Sequence, residues 1–296
     1  MKRWSFVTVV AGVIAAAAVP ASASATEAAA AGSAATCRVR LGYVTGDGAQ
    51  GGWGLETPRV FEPGSVRLST TFSDAHYNTG TSMEGWVVKG DSLYWRTYST
   101  DLDGWIDPQQ PDYTLRIGGG WTNYTALEVA QYRGSSAGKP SHTIAYGLRN
   151  DGTLFRWSVA GDTAWRRTGS ATGFAAVTSM TLISKTRTYD TFLANTRGGA
   201  LYTIHIPVTS PMKPIVRPVR TRTWQGFEQL VASKCGQYGT ILIGIDKDTK
   251  TAYQYAVGHA NGTATVIQSL GKIPGAFDDP VYHRWAEAGG DPFNGE

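Results

Sequence analysis

The sequence predicts an all-β fold, a five-bladed β-propeller, from three observations: a repeat of about 50 residues, alternating apolar residues inside each repeat, and an incomplete last copy. The aromatic anchors Tyr124, Phe174, Phe227 and Phe277 stand 50, 53 and 50 residues apart, and a slightly longer step back reaches Phe61. The copies therefore start near 61, 124, 174, 227 and 277.

Each anchor opens a short alternating stretch, as in Tyr124-Thr-Ala-Leu127-Glu-Val129 and Phe227-Glu-Gln-Leu230-Val231. Later in each copy a turn introduces an apolar residue followed by an aromatic. The element reads Gly90-Asp-Ser-Leu93-Tyr94-Trp95, Asp151-Gly-Thr-Leu154-Phe155-Arg-Trp157, Gly198-Gly-Ala-Leu201-Tyr202 and Lys250-Thr-Ala252-Tyr253. Period-two alternation rich in Val, Ile, Thr and Tyr means strands rather than helices. A unit of this length holds four short strands, one propeller blade. In the second copy they are expected near residues 126–130, 143–148, 153–159 and 164–168.

The fifth copy is too short to stand alone. Residues 277–296 supply 20 positions and residues 37–60 supply 24, together close to one blade built from both chain ends. Leu41 precedes Phe61 by the same interval as Leu154 precedes Phe174, which makes Leu41-Gly-Tyr43 a copy of the Leu-aromatic strand. Joining the ends in one blade removes exposed sheet edges.

The first 25 residues read as a secretory signal peptide: Lys2-Arg3, an apolar run from Trp4 to Val19, then Pro20 and the small-residue pattern Ala23-Ser24-Ala25. The run is shorter than the roughly 20 apolar residues needed to cross a bilayer, so no membrane insertion is expected. Residues 26–36 read as a flexible leader, and 37–296 as one propeller domain. Without Lys2 and Arg3 the chain carries 25 basic and 23 acidic residues and no basic run, so nucleic acid is not an expected partner. Cys37 and Cys235 are the only cysteines, and an oxidising compartment allows them a single disulfide, two buried thiols being the alternative.

The motifs Trp121-Thr-Asn-Tyr124-Thr-Ala-Leu127 and Trp224-Gln-Gly-Phe227-Glu-Gln-Leu230, with Asp151-Gly-Thr-Leu154-Phe155-Arg-Trp157, resemble the W-x-x-F-x-x-L opening and the D-G-x-L-Y-x-W strand of tachylectin-type repeats. The resemblance spans residues 61–277 and implies a five-bladed propeller that binds N-acetylated amino sugars at several sites. Three copies depart from it, with Pro58, Ala171 and Pro274 in place of the opening tryptophan.

Sugar recognition needs an aromatic face for the C–H surface and nearby polar groups for the hydroxyls. Trp121 beside Asn123, Trp224 beside Gln225, and Trp105 beside Asp101 and Asp103 are the candidates, while packing between blades is the competing use of every such ring. Gly134-Ser-Ser136-Ala-Gly138 spells a hydrolase motif, but it sits in a Gly/Ser loop between predicted strands, where the strand-to-helix turn that motif needs is not expected. The five histidines are dispersed, and the acidic pairs Asp101/Asp103, Asp246/Asp248 and Asp278/Asp279 do not continue into a calcium-loop pattern, so no metal and no cofactor are expected. Asn123-Tyr-Thr125 and Asn261-Gly-Thr263 spell glycosylation sequons, which have no expected use beside a bacterial-looking export signal.

The expectation is a secreted, monomeric, non-catalytic lectin-like propeller whose partner is carbohydrate, N-acetylglucosamine-containing by the resemblance. Two alternatives stand beside it. A propeller glycoside hydrolase would need two carboxylates about 5–9 Å apart, from candidates such as Asp47, Glu56, Glu84, Asp101 and Asp103. A protein-binding propeller is the other.

Overall fold

A left-handed turn recurs in every copy and explains the repeat. Gly48, Gly152, Gly199 and Lys250 all have positive φ, of 91°, 79°, 86° and 55°. In each case the carbonyl of that residue accepts a hydrogen bond from the segment opening the next copy: from Phe61, Phe174, Trp224 and Phe277 N–H. Asp91 plays the same part toward Trp121 N–H. Glycine reaches this conformation without a steric penalty, which accounts for the Gly in the repeated Asp-Gly and Gly-Gly turns.

In the computed structural model the described residues are 37–52, 55–110, 112–133, 141–287, 293 and 295. The signal-peptide and leader assignments and the Gly134–Gly138 motif lie outside them. Three antiparallel sheets each contain four strands in chain order. The first of these comprises β9 (Tyr124–Tyr132), β10 (His142–Arg149), β11 (Leu154–Ala160) and β12 (Ala164–Ala171). These strands cover the four positions expected from the sequence, extended by a residue or more at most ends. The second comprises β13 (Val177–Lys185), β14 (Tyr189–Thr196), β15 (Leu201–Pro207) and β16 (Ile215–Arg220), and the third β17 (Gln229–Cys235), β18 (Gly239–Asp246), β19 (Thr251–Val257) and β20 (Ile267–Ile273).

The remaining strands form one nine-stranded sheet in two parts. In one part β1 (Leu41–Val44), β2 (Gln50–Gly52) and β3 (Leu55–Thr57) continue outward from β21 (Val281–Glu287). The register pairs Leu41 with Arg284 and Val44 with Val281, antiparallel. The other part holds β4 (Val66–Ser69), β5 (Phe72–Tyr77), β6 (Gly80–Lys89), β7 (Ser92–Thr100) and β8 (Tyr113–Gly118). Here the structure departs from the expectation of separate blades. The inner strand breaks at Thr70-Thr71, where Thr70 N–H and hydroxyl both donate to Trp86 O, and β5 swings into a short parallel pairing with β21, from Trp285–Phe72 to Glu287–Asp74.

Each sheet's first strand packs on the next one's: β4 on β9, β9 on β13, β13 on β17, β17 on β21, and β21 on β4. Second strands lie deeper, and β14 and β18 are buried almost end to end. All five aromatic anchors, Phe61, Tyr124, Phe174, Phe227 and Phe277, are buried. Removing such a side chain from water is worth roughly 2 kcal/mol, so the repeated anchors are the repeated fastening of sheet to sheet. Cys37 and Cys235 form a disulfide with a Cα–Cα distance of 5.5 Å, which ties the segment before β1 to the end of β17.

Candidate functional site

Of the eight described tryptophans, only Trp105 is exposed, at 62 %. The loop that carries it is rigid for a local reason. Asp101 Oδ1 accepts hydrogen bonds from Asp103 N–H (3.0 Å) and Trp105 N–H (2.9 Å), and Asp101 N–H donates to Trp105 O (2.9 Å). Gly104, with φ of 87°, makes the tight turn, and Asp107 N–H returns the chain to Ser99 O. The carboxylate the sequence offered as a ligand group, Asp101, is thus spent on shaping the loop. The Asp103 side chain remains exposed in the same loop.

The neighbouring β5–β6 hairpin extends this surface. Tyr77 is exposed at its tip, and Gly80 lies so close to the loop that a Cβ would meet Thr100 O at 1.7 Å. Tyr77, Leu102, Trp105 and Tyr113 therefore present large apolar surface at or beside one end of one sheet. Residues 101–112 include four aspartates and no Lys or Arg. Asp112 is paired with the buried Arg96, which leaves Asp101, Asp103 and Asp107 to make the surroundings of Trp105 negative.

Trp121 and Trp224 are placed differently from the expectation that their faces meet sugar. They are 6 % and 5 % exposed. The Trp121 ring packs 4.4 Å from Tyr124, 5.4 Å from Trp157 and 6.0 Å from Trp165, and Trp224 packs 4.9 Å from Tyr255 and 5.6 Å from Phe227. Asn195 Nδ2 donates to Trp224 O (2.8 Å) and Phe227 O (2.7 Å), fixing the segment between them. Both rings fill the space between neighbouring sheets, the competing use of aromatics in this architecture. Asn123 and Gln225 are exposed, but the rings next to them point inward.

The first strands enclose a cavity of about 200 Å³, polar in its lining. Glu128 on β9 faces it together with Arg67, Glu228, Lys247 and Arg284. Burial raises the Glu128 carboxyl to about 7, against the opposing pull of Arg284, the Leu182 backbone and the Thr181 hydroxyl. Phe293 lies at this cavity with Arg284 stacked 4.4 Å from its ring centre. Sequence reasoning did not single out Glu128. Its one signal is a carboxylate set between Leu127 and Val129 on a first strand.

Three of the carboxylates considered for hydrolysis are engaged by local hydroxyl groups. Asp47 accepts from the Thr45 hydroxyl in the turn after β1, Glu56 on β3 from Tyr43 on β1 across the intervening β2 (3.0 Å), and Glu84 on β6 from Ser73 on the neighbouring β5 (3.2 Å). Among the histidines, His283 is buried, accepts from Gln50 Nε2 at 3.1 Å, and is held by that burial at about 3. The described residues contain no cluster of three metal-ligating side chains. None of their helices is long and apolar enough to cross a membrane.

No family model matches the chain, and no curated protein matches it. Solved structures with a related outline include AofleA from Arthrobotrys oligospora, 12 % identical over 84 % of this chain and 91 % of that one, with a TM-score of 0.38. The GH43_1 enzyme from Xanthomonas citri complexed with xylose is 9 % identical over 71 % and 74 %, at 0.39. The WD40 domain of SCAP from fission yeast is 10 % identical over 83 % and 71 %, at 0.37.

Proposed function

We propose that this chain is an exported, monomeric, five-bladed β-propeller, closed by pairing of its two ends, that binds neutral or amino sugars at the Trp105 loop without cleaving them. Support for the ring comes from the contacts that run from β4 through β9, β13, β17 and β21 back to β4, and from the β1–β21 register. The disulfide and the N-terminal motif support export. The tachylectin-like motifs enter as the turn and anchor elements of that ring, which is a structural use of them.

The single observation that carries the binding reading is the exposure of Trp105 on a loop stiffened by Asp101, when every other described tryptophan is partly or fully covered. A rigid, open indole loses little freedom when a sugar ring stacks on it, and Asp103 is available for hydroxyls. The negative surroundings disfavour uronic or sulfated sugars and leave neutral and amino sugars, N-acetylglucosamine among them, as the ligands of this loop.

Glycoside hydrolysis in the central cavity is the second reading, favoured by one observation: Glu128 is a carboxylic acid held near neutral pH, with Glu228 lining the same space. A glycan array on the wild type and Trp105→Ala, run beside an assay for sugar release from polysaccharides, separates the two. Binding to neutral or amino glycans that Trp105→Ala loses, with no release, is the expected result. Release that Glu128→Gln abolishes would transfer the function to the cavity, and an array with no bound glycan would leave a protein partner.

A further inference from the structure

Hydrogen bonds distinguish the two ends of the circle of first strands. Phe61, Trp121, Phe174, Trp224 and Phe277 N–H donate to the turn between the second and third strands of the preceding sheet, at Gly48, Asp91, Gly152, Gly199 and Lys250. Every first strand therefore enters at one end and leaves at the other. At the entrance the aromatic anchors are buried. The exposed aromatic side chains among the described residues are Tyr77, Trp105, Tyr113 and Tyr238, and all four stand at the exit. Tyr77 ends β5, Trp105 lies between β7 and β8, Tyr113 opens β8, and Tyr238 occupies the turn from β17 to β18. Like Trp105, Tyr238 is held in place although exposed. Its hydroxyl accepts from Gln237 Nε2 (2.9 Å), its ring stands edge-on to His259 with the ring centres 5.6 Å apart, and the Cys37–Cys235 bond anchors the chain just before it. The turns that carry Tyr77 and Tyr238, residues 77–80 and 236–239, contain no charged side chain.

We propose that this exit end adsorbs to an insoluble neutral polysaccharide, a surface of packed sugar chains, with Trp105 and Tyr238 as separate points of contact. Tyr238 belongs to the sheet of β17, and in the circle of first strands β21 stands between β17 and β4, the strand beside which the Trp105 loop's sheet begins. Rings fixed on different sheets of one rigid body make the second contact intramolecular, which strengthens binding only to a ligand broad enough to meet both. Tyr and Trp offer an apolar face with a polar tip, the match for a surface of C–H faces and hydroxyls. Uncharged turns at Tyr77 and Tyr238, with aspartates around Trp105, suit a neutral polymer and oppose anionic lipid. The inference rests on the sugar-binding reading of Trp105 and deepens it by naming the form of the ligand.

The test measures depletion of the whole chain from solution by particles of chitin and of cellulose, beside calorimetric titration with soluble chitotetraose and cellotetraose. Adsorption to at least one polymer is expected, weakened roughly tenfold or more in Tyr238→Ala while that variant titrates with the soluble sugars as wild type does. Tyr238→Phe keeps the ring and should adsorb within about twofold of wild type. Trp105→Ala should weaken both measurements. Wild-type adsorption by folded Tyr238→Ala, no adsorption to either polymer, or a preference for phosphatidylcholine–phosphatidylglycerol vesicles over both would overturn the proposal. Unchanged soluble binding by Trp105→Ala, with adsorption still lost in Tyr238→Ala, would instead remove the Trp105 reading and uphold the polymer surface.

Discussion

The ring of Tyr124 lies flat against Gly147, where a Cβ would come within 2.9 Å of two ring carbons, and Phe227 lies against Gly244 with the same approach at 2.8 Å. These two anchors, at the entrance of the first strands β9 and β17, are thus seated on glycines of the second strands β10 and β18. Gly147→Ala and Gly244→Ala should each destabilise the fold by about 1–3 kcal/mol, because a methyl group forces the anchor off its seat. Gly118→Ala, which meets nothing within 4 Å, should stay within about 0.5 kcal/mol of wild type. Urea unfolding of the three variants measures this, and equal midpoints would remove the anchor from its structural role.

The Cys37–Cys235 bond spans 198 residues of sequence. A cross-link over so long a loop restricts the unfolded chain, and its removal should cost about 2–4 kcal/mol. Melting of the protein with and without reductant, alongside the Cys37→Ser, Cys235→Ser double variant, should show matching losses. Two alkylatable thiols in unfolded, unreduced protein would contradict the bond.

Glu128 and Asp190 are both raised by burial to about 7, from ordinary values of 4.5 and 3.8. Between those values and 7 the folded chain keeps protons that the unfolded chain releases, so their contribution to stability falls as pH rises. His283 acts in the opposite sense. Held at about 3 by burial, it refuses a proton that the unfolded chain binds up to its ordinary 6.5, so its contribution rises with pH over that window. The wild-type profile should therefore be flatter than any one group predicts. Glu128→Gln isolates its part: the variant should gain stability relative to wild type from pH 4.5 to 7, reaching on the order of 2 kcal/mol and levelling off above. A difference that does not change with pH would place Glu128 in water.

Deleting residues 37–60 removes β1, β2 and β3 and leaves β21 with an unpaired edge. Exposed edges recruit other chains. The truncated protein should melt lower and self-associate in light scattering; an unchanged, monodisperse protein would show that the ends do not close the fold.

Much of this fold was legible because its repeat is carried by residues with fixed structural duties. The aromatic anchors, the left-handed glycine turns and the Leu-aromatic strands are the same contacts made again, so their spacing showed in the chain. The break at Thr70-Thr71 was not legible, since Thr suits a strand as well as its interruption. Among the site residues, the pattern around Trp105 and Asp103 was visible, but the inward turn of Trp121 and Trp224 was not. A tryptophan beside a polar residue at a strand entrance reads alike whether its ring faces solvent or the next sheet. Glu128 escaped notice because its desolvation comes from strands distant in sequence.

The central claim, that sugar meets the protein at Trp105, is tested most directly by calorimetric titration of N-acetylglucosamine and of the best array glycan into wild type, Trp105→Ala and Trp121→Phe. The account predicts that Trp105→Ala weakens binding at least about tenfold while its unfolding midpoint stays put, since an exposed ring contributes stacking area and little core. Trp121→Phe should lower the midpoint and leave affinity within about twofold, as expected of a buried packing residue. Undiminished binding by Trp105→Ala, with binding lost in folded Trp121→Phe, would contradict the account and return the site to the tryptophan that opens the repeat.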